Sequence, residues 1–219
     1  MKENEPASDG VVLSDQPVAD FSHLTAPEHL AAISRIENVA LVIVPESLAA
    51  AYTAIPTSGI AATIYVPDGP LADLACGPSG AALLAAEQGR RVTAVDISEA
   101  ALGLLGAEAG RRGLSHLITL VHADLSAWVP EPRSHALVLA IGFWDAAVFR
   151  AAAAAVADGG LLAWEALTAD ARQTHPDLPP AFCVGPGEPA SLLPGGFTLI
   201  DQADTPHRAR RRLLARRAR

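Results

Sequence analysis

Three aspartates sit at or near the ends of short apolar runs: Asp73 in LADLACGPSG, Asp96 in VTAVDIS and Asp124 in VHADLS. Carboxylates at such places can accept hydrogen bonds from hydroxyl and amino groups of a bound ligand. Between the first two lies a bend of small residues, Ala75-Cys76-Gly77-Pro78-Ser79-Gly80. Small side chains let backbone come close to a ligand, and the helix that follows offers free N–H groups. Ala75-x-Gly77-x-x-Gly80 is a variant of the glycine pattern that cradles dinucleotides, although a tight strand–helix turn without a ligand also needs glycines. Asp96, about 20 positions beyond the bend, is placed to accept from both ribose hydroxyls of an adenosine ligand, and reads otherwise as a cap for the helix that starts near Ser98. Asp124 can accept from the exocyclic amino group of adenine while the Leu125 N–H faces a ring nitrogen; taken alone, a strand-end Asp is more often a turn former.

The elements that must position these groups alternate. Strands are expected at 71–75, 91–97, 117–125, 135–142 and 161–167, with helices at 79–89, 98–113 and 145–160 between them. Gly89 and Gly113 end the first two helices, Ser98 and Asp145 cap the second and third, and Gly159-Gly160 stop the third. A Pro-rich loop, roughly 168–189, then breaks the pattern before a short helix near ASLLP and two last strands, 197–204 and 210–218. The expected fold is α/β: a doubly wound, mostly parallel seven-stranded sheet closed by an antiparallel hairpin. Upstream, a helix over 26–36, a strand over 39–44, a helix over 46–55 and a strand over 60–66 read as a small β-α-β extension. Pro67-Asp68-Gly69-Pro70 marks the boundary. The chain divides into a polar, aperiodic stretch at 1–25 expected to be mobile, an extension of unknown role at 26–67, and a main domain at 68–219.

The stretches Asp73–Gly80, Val95-Asp96-Ile97-Ser98, Ala123-Asp124-Leu125 and Asp158-Gly159-Gly160, together with the closing hairpin, resemble the successive motifs of class I S-adenosylmethionine-dependent methyltransferases, which are Rossmann-like. The resemblance covers residues 68–219. Within the class, PPAFCVGPGEPASLLPGGFTLI is similar to the small-molecule branch of tellurite-resistance and thiopurine-type enzymes. It implies that Asp73 and the bend, with Ala75, Gly77 and Gly80, hold the methionine part of S-adenosylmethionine. Asp96 would hold the ribose, Asp124 and Leu125 the adenine, and Ile97 would pack on the adenine ring. Ala140 to Gly142 would line the methionine and the methyl group. Phe143 and Trp144 are candidates to face the sulfonium or a flat acceptor, and read almost as well as core aromatics. Glu165 and Phe182 are candidates for the acceptor pocket. The chain departs from the family pattern in three ways. Ala75 and Ser79 replace glycines, Ala136 replaces an acidic residue, and residues 39–66 stand where the family places covering helices.

Methyl transfer from a sulfonium is an in-line displacement whose leaving group is neutral, so alignment and dehydration can supply most of the catalysis and no base is assigned. The expected acceptor is a small molecule. Two other readings follow from the same residues: a catalytically inactive methyltransferase-like binding protein, and an NAD(P)-dependent oxidoreductase. The latter leaves Asp73, Asp124 and the hairpin without a role, and Lys2 is the only lysine available for a Tyr-Lys proton donor.

Composition narrows the field. The net charge of −8 argues against nucleic acid as a partner, and the run Arg208 to Arg219 fits a hairpin strand with charged ends better than a basic arm. No apolar run is long enough for a membrane span, and the start lacks the pattern of a secretory signal, so a cytoplasmic address is expected. Two cysteines and seven histidines without ligand spacing make a metal site unexpected.

Overall fold

The computed structural model describes residues 11–13, 41–45, 63–205 and 209–219. Strands β1 (Val11–Leu13), β2 (Leu41–Pro45) and β3 (Thr63–Val66) form a small sheet in that order, with β1 antiparallel to β2 and β2 parallel to β3. Both upstream strands read from sequence have described strand residues, and 39–40 and 60–62 lie outside the described residues. Val11–Leu13 lies inside the stretch expected to be without structure; its three apolar residues pair with the apolar run of β2. The rest of that stretch and the helices expected over 26–36 and 46–55 lie outside the described residues.

The second sheet is built from β4 (Leu71–Leu74), helix α1 (Gly80–Glu87), β5 (Val92–Asp96), α2 (Glu99–Arg111), β6 (Ile118–His122), β7 (His135–Ile141), α3 (Ala146–Ala155), β8 (Val156–Thr168), β9 (Cys183–Val184), β10 (Phe197–Thr205) and β11 (Arg210–Arg217). The order is β10-β11-β8-β7-β4-β5-β6, with β9 paired to the far end of β8. Five strands of the path, β8-β7-β4-β5-β6, run parallel, and β10 and β11 are antiparallel, as the alternation requires. The expected seven strands are joined by an eighth: two residues of the Pro-rich loop pair alongside Leu167 and Thr168.

Caps fix the helix starts. The Ser98 hydroxyl accepts from the Ala101 N–H at 3.2 Å, and Asp145 accepts from the Ala147 and Val148 N–H groups at 2.8 and 2.9 Å. Each such cap stabilises its helix by about 1 kcal/mol. Helix α1 is alanine-rich and buried on nearly every side, which suits a thin helix lying close on a sheet. Helices α1 and α2 cover one face, where Leu71, Leu105, Leu137, Leu139, Leu161 and Leu214 meet. Helix α3 covers the other, around Trp164, Phe149 and Trp144. The Trp164 and Phe149 rings meet edge-on at 5.2 Å, and the indole N–H of Trp164 donates to the Phe143 carbonyl at 2.8 Å. A buried indole thus keeps its polar atom satisfied.

One boundary differs from the sequence expectation. Helix α3 ends at Ala155 rather than at Gly159-Gly160, and β8 begins at Val156 rather than at Leu161. His135 pairs with Val156 while Leu137 pairs with Leu161, so two steps along β7 face five along β8. The glycine pair makes this bulge instead of a helix stop: Gly159 has φ +76°, and a Cβ on Gly160 would stand 2.9 Å from the carbonyl oxygens of Ala136 and Ala157.

The Arg-rich segment is the inner strand of the hairpin. Arg211 pairs with Asp204 and donates to the Gly185 and Glu188 carbonyls, Arg216 donates to Gly159, and Arg217 donates to Ala153 and lies over the Phe197 ring. Exposed pairs of this kind contribute at most about 1 kcal/mol each, whereas burying Leu213 and Leu214 contributes about 2–3 kcal/mol apiece. Apolar burial holds the strand; the guanidinium groups trim its edges.

Replacing Gly160 by Ala should lower stability by about 1–3 kcal/mol through overpacking. Gly195→Ala, with open space at its Cβ position, should change stability by less than about 0.5 kcal/mol. Urea midpoints of the two variants check the contrast, and equal midpoints would show that the bulge tolerates a side chain.

Candidate functional site

Strand β4 lies between β5 and β7, at the point where the chain switches from building one half of the parallel sheet to building the other. Loops at the carboxyl ends of strands part there, leaving a crevice. Asp73, one residue before the end of β4, is buried at 3% exposure. It faces the α1/α2 side, in step with Leu71. The Ser79 hydroxyl donates to it at 2.5 Å and accepts from the Ala82 N–H at 3.0 Å, so one side chain both caps α1 and partners a buried acid. Burial pushes the Asp73 carboxyl up to about 7; the Ser79 hydrogen bond opposes this and the nearby Asp96 charge adds to it.

The bend above Asp73 is held in a left-handed conformation at two places, Ala75 with φ +50° and Gly77 with φ +56°. It is tied to the neighbouring strand by two bonds. The Cys76 N–H donates to the Val95 carbonyl at 3.0 Å, and the Gly77 N–H donates to an Asp96 carboxylate oxygen at 2.7 Å. The other Asp96 oxygen accepts from the Ser98 N–H at 2.7 Å. Each carboxylate oxygen therefore keeps a lone pair for a further donor, which is the capacity that a pair of vicinal hydroxyls needs. The Cys76 thiol is pushed up to about 12, by burial first and then by the charges of Asp73 and Asp96, so it stays protonated and is no nucleophile.

Beyond Asp96, Ile97 is 67% exposed, an apolar surface at the strand tip that can cover one side of a flat ring. Asp124 lies two residues past His122, the register partner of Asp96. One of its oxygens accepts from the Ser126 N–H at 2.8 Å, and this bond to the backbone holds the carboxyl below its ordinary value. The turn-forming role foreseen for Asp124 is thus real, and its side chain is exposed. The Leu125 side chain is in the core at 7% exposure, so only its backbone is available to a ligand.

The structure brings Asp73, Ala75, Gly77, Gly80, Asp96, Ile97 and Asp124 to one edge of the sheet, and it moves others. Ala140 is fully buried on the α3 face, the side opposite Asp73, so it cannot line the crevice with its methyl group. Its neighbour Ile141, within the same expected run, is 46% exposed and in step with Leu139 on the Asp73 face. Trp144 is 6% exposed and packs on Phe149 and Trp164, a core aromatic rather than an acceptor contact. Phe143 packs partly against the same cluster. Phe182 is 56% exposed on a short turn, Pro180–Phe182, in the Pro-rich loop. Glu165 lies on β8 three residues before its end, opposite Ile141 at the end of β7, and its carboxylate receives the Arg210 guanidinium at 2.7 Å. Two residues of this edge had no counterpart in the sequence reading: Ser79 as the partner of Asp73, and Arg210. Among the described residues no group of three or more His, Cys, Asp or Glu side chains could hold a metal ion, and no helix is long and apolar enough to cross a membrane.

The sheet has a Rossmann-like fold of the kind found in methyltransferases, mostly parallel with antiparallel final strands. Residues 71–160 match the model of a family described as methyltransferase domain. No curated protein matches the chain. Among solved structures, the chain is similar to magnesium protoporphyrin IX methyltransferase from Synechocystis PCC 6803 with bound SAH, at 17% identity and a TM-score of 0.56 over 70% of this chain and 76% of that one. It is also similar to geranyl diphosphate C-methyltransferase from Streptomyces coelicolor A3(2), at 12% identity and a TM-score of 0.58 over 69% and 70%. The cyclase SpnF matches at 18% identity and a TM-score of 0.55 over 69% and 76%. Likeness at this level shows the fold.

The buried acid has a measurable signature. Asp73 keeps its proton in the folded protein up to about pH 7, whereas its ordinary value is 3.8. Between those values the folded state binds more protons than the unfolded one. The stabilising contribution is therefore complete below about pH 4 and is lost as pH rises through 7. Asp73→Asn, which cannot ionise, should gain stability relative to the parent between pH 5 and 8, by as much as about 4 kcal/mol. Chemical denaturation at several pH values measures this gain, and a difference that stays flat with pH would mean that Asp73 ionises normally.

Proposed function

We propose that the protein is an S-adenosylmethionine-dependent methyltransferase acting on a small-molecule acceptor by in-line methyl transfer. The observation that carries this reading is the pairing of a buried acid with a pinned bend. Asp73 lies beneath a left-handed turn whose Gly77 amide is tied to Asp96, so an acid for a cationic amino-acid end and an acid for a ribose end flank bare backbone. The family match over residues 71–160 and the SAH held by a protein of the same fold support it.

In this reading Asp73 and the Ala75–Gly80 bend hold the methionine end, Asp96 the ribose hydroxyls, Asp124 with the Leu125 backbone the adenine edge, and Ile97 the adenine face. Ile141 and Gly142 lie beside the reacting methyl group. The bound cofactor supplies a methyl group on a sulfonium whose departure as a neutral thioether requires no acid. The residues of the chain then have two tasks: they orient the acceptor and exclude water from it. Residues 68–219 form the catalytic unit and 26–67 an appended element. The likeness of 179–200 to the tellurite-resistance and thiopurine-type branch favours a soft or anionic acceptor.

Calorimetric titration tests the cofactor. SAH and S-adenosylmethionine should bind and NADH should not, and Asp96→Ala should weaken SAH binding at least about ten-fold, the loss of roughly 1.4 kcal/mol in hydrogen bonding. Transfer of a labelled methyl group to a panel of thiols, selenite and small amines tests catalysis. Binding without transfer to any acceptor would favour an inactive binding protein, and preference for NADH would replace the reading with an oxidoreductase.

A further inference from the structure

Glu165 and Arg210 meet near the carboxyl end of the sheet, level with the end of β7, on the face that carries Asp73. Alternation along β8 puts Glu165 in step with Leu161 and Ala163, and alternation along β11 puts Arg210 and Arg212 in step with Leu214. Ile141 is the register partner of Glu165 on β7, and Asp73 is the partner of Leu139. Glu165 is therefore two strands across from Asp73 and one side-chain pair nearer the tip, about 12 Å away by strand spacing. That is the acceptor side of a ligand whose amino-acid end rests at Asp73.

The pairing is not that of an ordinary strand lock. The residue directly opposite Glu165 is Arg212, yet the carboxylate is held by Arg210, one pair closer to the tip, at 2.7 Å. Arg212 is left with Asp201 at 3.7 Å, and its buried Nε has no hydrogen-bond partner. Two guanidinium groups on one face thus stand about a single close carboxylate. Arg210 spends Nη1 on Glu165, its one hydrogen bond among the described residues, so the remaining N–H edge can take a planar acid in two parallel bonds. Both side chains are partly buried, at 32% and 27% exposure, where such bonds are stronger than on an open surface. Gly142 keeps the approach clear: a side chain there would begin 3.4 Å from Arg210 Nη1.

We infer that Arg210, oriented by Glu165, recognises a carboxylate or similar planar acid on the methyl acceptor, so that the substrate class is a small organic anion. This rests on the cofactor reading above, which places the acceptor at this end of the crevice.

The test uses the full chain saturated with SAH. Benzoate, indole-3-acetate and 3-mercaptopropionate are titrated calorimetrically, each against its own amide. At least one acid should bind ten-fold or more tightly than its amide. Arg210→Met should remove that preference while leaving amide binding and SAH affinity unchanged, and Arg210→Lys should restore part of it. The inference is overturned if no acid outbinds its amide, or if Arg210→Met leaves the preference intact. It is equally overturned if the variant weakens SAH itself, which would mean that the guanidinium serves the cofactor's own carboxylate. Arg210→Gln, checked by thermal melting, stands in if the Met variant does not fold. Failure of the parent protein to bind SAH would sink the cofactor reading separately, and the acid-against-amide comparison on the free protein would still decide for or against Arg210.

Discussion

The hydrogen bond from the Gly77 amide to the Asp96 carboxylate is the contact on which the site depends. It ties the turn after β4 to the tip of β5, across a gap that ladder hydrogen bonds no longer bridge. With that tie in place the bend holds its left-handed residues, Ser79 is delivered over Asp73, and α1 starts where its cap can form. Without it, the bend would be tied to β5 only through the Cys76 N–H bond to Val95, and Ala75 has no local preference for φ +50°. A carboxylate that orders the backbone and still has lone pairs to offer is a structural part and a binding group at once.

Most of this was legible in the sequence because it is local. The caps Ser98 and Asp145 announce themselves by residue type and position, and the apolar runs between glycines can only be strands of a parallel sheet once helices separate them. Errors arose where local signs pointed one way and register the other. Gly159-Gly160 after an alanine run looks like a helix stop; only the pairing of β8 with β7 shows that three residues must be absorbed in a bulge. Likeness to a motif points to the run Ala140 to Gly142 without saying which side chain faces the crevice; parity with Val138 puts the Ala140 methyl on the α3 face. Trp144 was open to two readings, and the rings of Phe149 and Trp164 decide for the core. Glu165 and Arg210 are 45 residues apart, and nothing short of the fold brings them together.

Serine at position 79 illustrates how a departure from a family pattern can be compensated. A glycine there would leave the buried Asp73 without its donor and α1 without its cap. The hydroxyl supplies both, and in doing so lowers the carboxyl from the still higher value that burial alone would set. The departure at Ala75 has no such return: the methyl group simply sits in a conformation that a glycine would adopt more freely.

The strand order has a consequence for how the molecule is made. Strand β10 touches the sheet only through β11, and β11 lies between it and β8. On the ribosome β10 emerges first and has nothing to pair with until the later strand is also outside the exit tunnel. The edges of β8 and β10 that β11 pairs stay open for that interval, at a translation rate of about 5–20 residues per second. Two strands are thus inserted in one late event, and a nascent chain cut short before Arg210 forfeits both.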